Sequence, residues 1–200
     1  MTDNKATRNN KNNTRARIIE TAIELFKEHG YDQTTIPMIC EKAGVSKTAL
    51  HYYFPKKQDI FFDMSNNFEE LYSDNFYRIV EQDTFSKQIW EIFKIMCEGD
   101  IFYGASVSQQ YFISRLKEHS QRDFIKNIYH KKMLTAVIRS AQNSGQIRNS
   151  SDPTALAESL SFALRGVIVT WAIEDGSLDL MEEAKSVVST IIDPAPGYEI

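Results

Sequence analysis

Side chains suited to contacting a polyanion follow Ser46 along the sequence. If Leu50 points into a core, the helical step of ~100° per residue turns its neighbours outward. Lysine can read guanine, a hydroxyl can read several bases, and a methyl group can touch thymine. Imidazole, phenol and ammonium groups donate hydrogen bonds to phosphate oxygens. The candidates for base contacts are Lys47, Thr48 and Ala49, and those for phosphate contacts are His51, Tyr52 and Lys57.

The sequence lacks the patterns of common catalytic and metal sites. It contains neither a Gly-x-Ser-x-Gly elbow nor a phosphate-binding glycine loop. His119 and His130 have no carboxylate or thiol partner at the spacing of metal ligands. Cys40 and Cys97 cannot by themselves build a disulfide framework or a zinc cluster. We therefore expect no enzyme, no metal site and no cofactor.

The elements that must position the outward side chains form a helix-turn-helix pattern over residues 35–54. Thr35 is a suitable N-cap for one helix, and that helix tolerates Pro37 in its first turn. Gly44 suits a tight turn, and Ser46 caps the helix after it. This spacing matches the DNA-binding motif whose second helix enters the major groove. Each residue alone also fits an ordinary helical core, but the combination favours DNA binding.

Charge is distributed unevenly along the chain. Residues 1–57 contain ten Lys or Arg against six Asp or Glu, a net charge of +4. Because the whole chain carries -4, residues 58–200 carry -8. A basic front and an acidic remainder suggest that one end faces a polyanion. The Asn- and Lys-rich residues 1–13 are predicted to form a flexible basic arm.

Apolar residues recur at helical rather than alternating spacing, which predicts an all-α fold. The first helix is expected to begin at Thr14, and residues 14–60 form the predicted helix-turn-helix domain. Residues 61–200 form a predicted ligand-binding and dimerisation domain. A helix from Lys57 to about Asp83 is expected to connect the two domains. The later helices are expected from Thr84 or Ser86 to Gly99, and over about 108–117, 122–143, 153–174 and 179–192.

Neither a secretory signal nor a membrane span is expected. The first seventeen residues contain almost nothing apolar, so a cytoplasmic location is predicted. Uninterrupted apolar runs are far shorter than the ~18 residues that a membrane span requires.

Three segments resemble the N-terminal domain of the tetracycline-repressor (TetR) family of regulators. They are Thr34-Thr35-Ile36, Ala43-Gly44-Val45-Ser46-Lys47, and Leu50-His51-Tyr52-Tyr53-Phe54 followed by Lys56 to Ile60. The stretch from Asp152-Pro153 through Ala163-Leu164-Arg165-Gly166 and Trp171 to Asp175-Gly176-Ser177 is similar to the family's dimerisation helices. The resemblance implies a homodimeric repressor that releases a palindromic operator in double-stranded DNA when a small molecule binds.

The resemblance also implies which residues contact DNA. Those matching the family's contact positions are Thr35, Lys47, Thr48, Ala49, Tyr52 and Lys57. His51 stands where a tyrosine is usual, so a phosphate contact there is expected to be weaker and pH-sensitive. Pro37 replaces a polar or basic residue that can touch DNA, so recognition is expected to depend more on the following helix.

The C-terminal region carries two further predicted sites. An effector with an apolar or aromatic part would be bound by Phe93, Met96, Phe102, Tyr103, Tyr111, Phe112 and Trp171. A homodimer interface would be formed by Leu160, Leu164, Val167, Ile168, Val188 and Ile191, because the last two helices are apolar on more than one side. The alternatives are a ligand-independent DNA-binding activator or architectural protein, and a helical small-molecule carrier.

Overall fold

The computed structural model describes residues 3–60, 68–118 and 128–200. All regular elements in these ranges are α-helices, apart from an isolated bridge between Ile147 and Pro194, which confirms the predicted all-α fold. A helical turn also covers residues 57–60. The helices are α1 (Asp3–His29), α2 (Ile36–Ala43), α3 (Lys47–Tyr53), α4 (Phe68–Val80), α5 (Phe85–Tyr103), α6 (Ala105–Glu118), α7 (Ile128–Asn143), α8 (Pro153–Ile173) and α9 (Leu180–Ile192).

The chain divides into two compact units, which we call the head and the body. The head contains Met1–Asn66 together with Ser106–Glu118, and the body contains Asn67–Ala105 and His119–Ile200. Helix α6 therefore groups with the head, although it lies far from it in sequence.

The head is built on an apolar core contributed by α1, α2 and α3. Helix α1 packs on α2, and α2 packs on α3. Burying one large apolar side chain contributes about 1.5–3 kcal/mol. Helices as short as α2 and α3 are marginal in isolation, so they depend on this core for their stability. The buried side chains include Ile18, Ala22, Phe26, Ile39, Ala43, Leu50, Phe54 and Ile60.

Helix α1 starts earlier than the sequence pattern predicts, at Asp3 instead of Thr14. Residues 3–13 contain neither proline nor glycine. Extending an existing helix costs far less than starting one, so the packed part of α1 can propagate toward the N-terminus. Thr14 is thus an interior helical residue.

Helix α5 also differs from expectation, because it continues through Gly99 and ends at Gly104. A glycine inside a helix costs only about 1 kcal/mol, which core packing readily offsets. Gly104 adopts a φ of 89°, a value that favours glycine and ends the helix. Residues 101–103, which lie beyond the predicted end at Gly99, form the last part of α5.

The body packs around α5, against which α4, α7 and α9 lie. Helix α8 packs along α7 and α9, and its inner face includes the buried Leu156 and Trp171. Among the described helices, α8 is long and apolar enough to cross a membrane by length and composition. Its buried inner face is typical of the central helix of a helical body.

Two predicted features fall partly outside the described residues. The helix expected from Lys57 to Asp83 includes residues 61–67, and the helix expected over 122–143 includes residues 122–127. His119 also lies outside the described ranges.

Candidate nucleic-acid interface

The turn between α2 and α3 depends on the backbone conformation of Gly44. Its φ of 62° and ψ of 41° lie in the left-handed region, where a residue with a Cβ pays roughly 1–2 kcal/mol. The Gly44 N–H donates to the Glu41 carbonyl at 3.2 Å, and the Val45 N–H donates to the Cys40 carbonyl at 3.0 Å. These bonds close the end of α2 and direct the chain into α3.

Helix α3 presents one side to solvent and the other to the head core. It begins after Ser46, whose Oγ accepts a hydrogen bond from the Ala49 N–H at 3.1 Å. Leu50 is fully buried, as its position predicts. Ala49 is half-buried, and the exposed side chains are Lys47, Thr48, His51 and Tyr52. The first turn of α3 thus offers an ammonium, a hydroxyl and a methyl group close together.

His51 is oriented by a backbone carbonyl beyond the end of α3. Its Nδ1 lies 3.2 Å from the Pro55 oxygen. Because the carbonyl can only accept, Nδ1 must carry the hydrogen when this bond forms, and in the neutral ring Nε2 is then an acceptor. His51 can donate to a phosphate through Nε2 only when the ring is protonated.

Thr35 lies at the start of α2 and is exposed. Its Oγ1 accepts a hydrogen bond from the Met38 N–H at 3.4 Å. Because the hydroxyl is the acceptor in this bond, its own hydrogen can still be donated to another group. Pro37 lies in the first turn of α2, where its lack of an N–H costs nothing.

Lys57, predicted to contact phosphate, is engaged inside the head. Its Nζ donates to the carbonyl oxygens of Tyr31 at 2.6 Å and Thr34 at 2.7 Å. The ammonium also lies 3.9 Å from the centroid of the Tyr31 ring. Burial lowers the pKa of Lys57, and the charge of Asp32 opposes this shift.

Arg15 is a cationic residue near α3 that the sequence patterns did not single out. It is exposed, and its guanidinium carbon lies 5.6 Å from the centroid of the Phe54 ring at the end of α3. The spacing of the sequence could have identified it. Arg15 precedes the buried Ile18 by three residues, so the two residues lie on the same side of α1.

The predicted pocket residues are divided between the two units. Tyr111 and Phe112 belong to the head, and the other five belong to the body. Phe93 is fully buried, with its ring centroid 6.1 Å from that of His130. Trp171 is also buried, Phe102 is 60% exposed, and Met96 and Tyr103 are half-buried. Phe93 and Trp171 therefore act as core residues of the body.

Most of the predicted dimer-interface residues face the interior of their own chain. Leu160, Leu164, Ile168 and Val188 are at most 5% exposed, so they have almost no surface to offer a partner. Val167 and Ile191 are half-buried. Hydrophobicity on several sides of α8 did not distinguish its inner face from its outer face. The outer face instead carries a regularly spaced exposed stripe, Ala155, Ser159, Phe162, Gly166, Thr170 and Ile173.

A capped helix-turn-helix with an outward polar recognition helix, joined in one chain to a helical body, defines a DNA-binding transcriptional regulator. Residues 18–64 match the family model "Bacterial regulatory proteins, tetR family". Over nearly its whole length the chain is similar to named regulators and to solved structures of this family. Residues 18–64 therefore carry a DNA-binding domain of the TetR family type, and the chain as a whole is similar to transcriptional repressors.

Two curated relatives illustrate the sequence similarity. The probable acrEF/envCD operon repressor of Escherichia coli K12 is 24% identical over 192 residues, covering 90% of this chain and 85% of that protein. The fatty acid metabolism regulator protein of Bacillus subtilis is 22% identical over 180 residues, covering 88% and 92%. Among solved structures, the Thermus thermophilus FadR repressor in complex with lauroyl-CoA has a TM-score of 0.63 at 20% identity, covering 92% of this chain and 99% of that one. This last likeness shows a shared fold.

Proposed function

We propose that the protein is a ligand-responsive repressor that binds a palindromic operator as a homodimer and releases it when a small molecule binds. The observation that carries the proposal is the exposed first turn of α3, which offers Lys47 and Thr48 beside the fully buried Leu50. In this geometry the N-terminal end of a recognition helix reads base edges. The protein would act in the cytoplasm, where the DNA is.

The roles of individual residues follow from their placement. Lys47, Thr48 and Ala49 would contact base edges, with Lys47 reading guanine. Thr35, Tyr52 and Arg15 would contact phosphates from the two sides of α3. His51 would join them in its protonated form.

Dimerisation would use the exposed stripe of α8 defined above. The small residues Ala155, Ser159 and Gly166 allow a partner helix to approach closely, and the larger Phe162 and Ile173 lie on the same stripe. Phe162 is 56% exposed and Ile173 is 72% exposed, so both would gain from burial by a second copy. Two-fold symmetry would place two copies of α3 on successive major grooves, about 34 Å apart or a multiple of this distance.

The effector is expected to contain an apolar part. The structurally similar FadR repressor was solved with lauroyl-CoA, and one curated relative is named a fatty acid metabolism regulator. A long-chain acyl-CoA is therefore the first effector to test. Release would follow if the effector binds better to the arrangement of the chain that does not fit the operator.

The experiment is a selection of bound fragments from genomic DNA at ~150 mM salt, followed by footprinting of the enriched sequence. A protected pseudo-palindrome that lauroyl-CoA releases would support the whole proposal. Protection that no acyl-CoA or other small molecule disturbs would favour a ligand-independent regulator, and only sequence-blind attraction would contradict operator recognition.

A matched pair of variants tests the recognition surface. Lys47→Ala should weaken binding to the operator by about 1–3 kcal/mol and relax the preference for one base pair. Lys132→Ala removes an exposed cation from α7 in the body and should leave operator binding unchanged.

A further inference from the structure

The loop between α1 and α2 is tied to residues that follow the recognition helix. The loop begins with Gly30, whose φ is 78°, and ends at Thr35, the N-cap of α2. Thr34 is fully buried, and its single hydroxyl hydrogen is shared between the Leu25 carbonyl, 3.0 Å from Oγ1, and the Gly30 carbonyl, 2.8 Å from Oγ1. These bonds hold the loop to α1 but do not connect it to the chain beyond α3.

Lys57 makes that second connection. It begins the helical turn over residues 57–60, and its Nζ reaches the carbonyls of Tyr31 and Thr34 across 26 and 23 residues of sequence. The Thr34 carbonyl belongs to the peptide that enters Thr35. The ammonium is therefore bound one residue before the cap of α2.

The surroundings of Lys57 favour this engaged state. The face of the Tyr31 ring lies against the ammonium, which adds a cation–π attraction. Burial, with smaller contributions from Asp32 and Asp59, raises the pKa of Tyr31 to about 12, so the phenol stays neutral. An ammonium has three N–H groups, and two of them are directed at protein carbonyls.

We propose that Lys57 is a positioning residue that orients the start of α2 for operator binding, rather than a phosphate ligand. It would hold the loop that ends at Thr35 against the turn over residues 57–60. Without its ammonium, the Tyr31 and Thr34 carbonyls lose charge-assisted donors, and the N-terminal end of α2 gains freedom. This inference rests on the proposed operator recognition.

The test compares Lys57→Met, which keeps most of the side-chain volume, with Lys57→Arg, which restores the charge. Lys56→Met is the matched control, because Lys56 is the adjacent exposed cation. Its hydrogen bonds to Asp59 come from its backbone, whose N–H donates to Oδ2 at 2.8 Å and whose carbonyl accepts from the Asp59 N–H at 3.0 Å. Operator affinity is measured between 50 and 300 mM salt, well below the melting temperature of each variant. Amide hydrogen exchange is measured at Thr34 and Met38 without DNA.

We expect Lys57→Met to weaken operator binding about tenfold, the effect of one hydrogen bond from a charged group, with an unchanged salt slope. Exchange at Thr34 and Met38 should accelerate, Lys57→Arg should recover most of the affinity, and Lys56→Met should leave exchange unchanged. A salt slope reduced by about 0.9 with unchanged exchange would overturn the proposal, because that is the signature of one lost phosphate contact. Unchanged affinity of Lys57→Met would overturn it as well.

Failure of the proposed function would look different. If the unaltered protein binds no specific operator, the proposed repressor function is refuted. The exchange comparison still shows in that case whether Lys57 restrains the loop, and unchanged exchange would refute the restraint itself.

Discussion

His51 limits the hydrogen bonds that the candidate DNA surface can donate. With Nδ1 directed at the Pro55 carbonyl, Nε2 of the neutral ring is an acceptor and cannot donate to a phosphate. His51→Tyr introduces a phenol O–H donor at this exposed position, so we expect it to raise operator affinity several-fold. Fluorescence anisotropy on a labelled operator measures this. Unchanged affinity in the variant would show that this position does not face a phosphate.

His130 ties the stability of the body to pH. Burial lowers its pKa from 6.5 to about 4, so the folded chain favours the neutral ring. Its stabilising contribution is complete above the unfolded value and is lost as the pH falls from 6.5 toward 4. The loss amounts to roughly 3 kcal/mol.

Urea unfolding between pH 7 and pH 4 tests this prediction against His130→Gln, whose side chain does not titrate. The free energy of unfolding should fall more steeply with acidification in the unaltered protein than in the variant. Parallel profiles would assign the acid sensitivity to other groups.

At the scale of elements, α4 and α5 are joined by a partly buried ion cluster. Arg78 of α4 contacts Glu91 at 2.6 Å and Glu98 at 2.7 Å, both on α5. The Glu91 side chain is only 7% exposed, and the hydrogen bond from Arg78 lowers the pKa of Glu98. Removing the guanidinium would leave Glu91 largely desolvated with a weaker partner, Lys94 at 3.8 Å.

Arg78→Met should therefore lower the free energy of unfolding by about 3 kcal/mol. Chemical denaturation of the two proteins measures the difference. Lys87→Met removes the exposed ion pair between Lys87 and Asp83, which lie four residues apart, and should change stability very little. Equal effects of the two substitutions would contradict a special role for the buried cluster.

At the scale of the whole molecule, the outer stripe of α8 predicts a dimer. Phe162→Glu places a charge in the centre of that stripe and should convert a dimer of 23.0 kDa chains into monomers. Sedimentation equilibrium measures the mass, and operator affinity should fall with it. Leu116→Glu is the control, because Leu116 of α6 is 79% exposed and lies outside the stripe. A dimeric Phe162→Glu protein would place the interface elsewhere.

Local signals were sufficient where a short segment determines its own conformation. Thr35, Gly44 and Ser46 mark the boundaries of α2 and α3 through hydrogen bonds with residues at most four positions away. Burial of Leu50 follows from helical periodicity alone. The start of α1 and the passage of α5 through Gly99 escaped prediction, because propagation and packing outweighed weak local preferences.

The sequence by itself determined that the chain is helical, that residues 35–54 form a capped helix-turn-helix, and that α3 turns its polar side chains outward. These properties depend on caps and periodicity, which act over a few residues. Tertiary structure alone decided which apolar face of α8 is buried, because hydrophobicity does not say which neighbour covers it. It also placed Lys57 on the carbonyls of Tyr31 and Thr34, since a long side chain binds whatever acceptors the fold brings near.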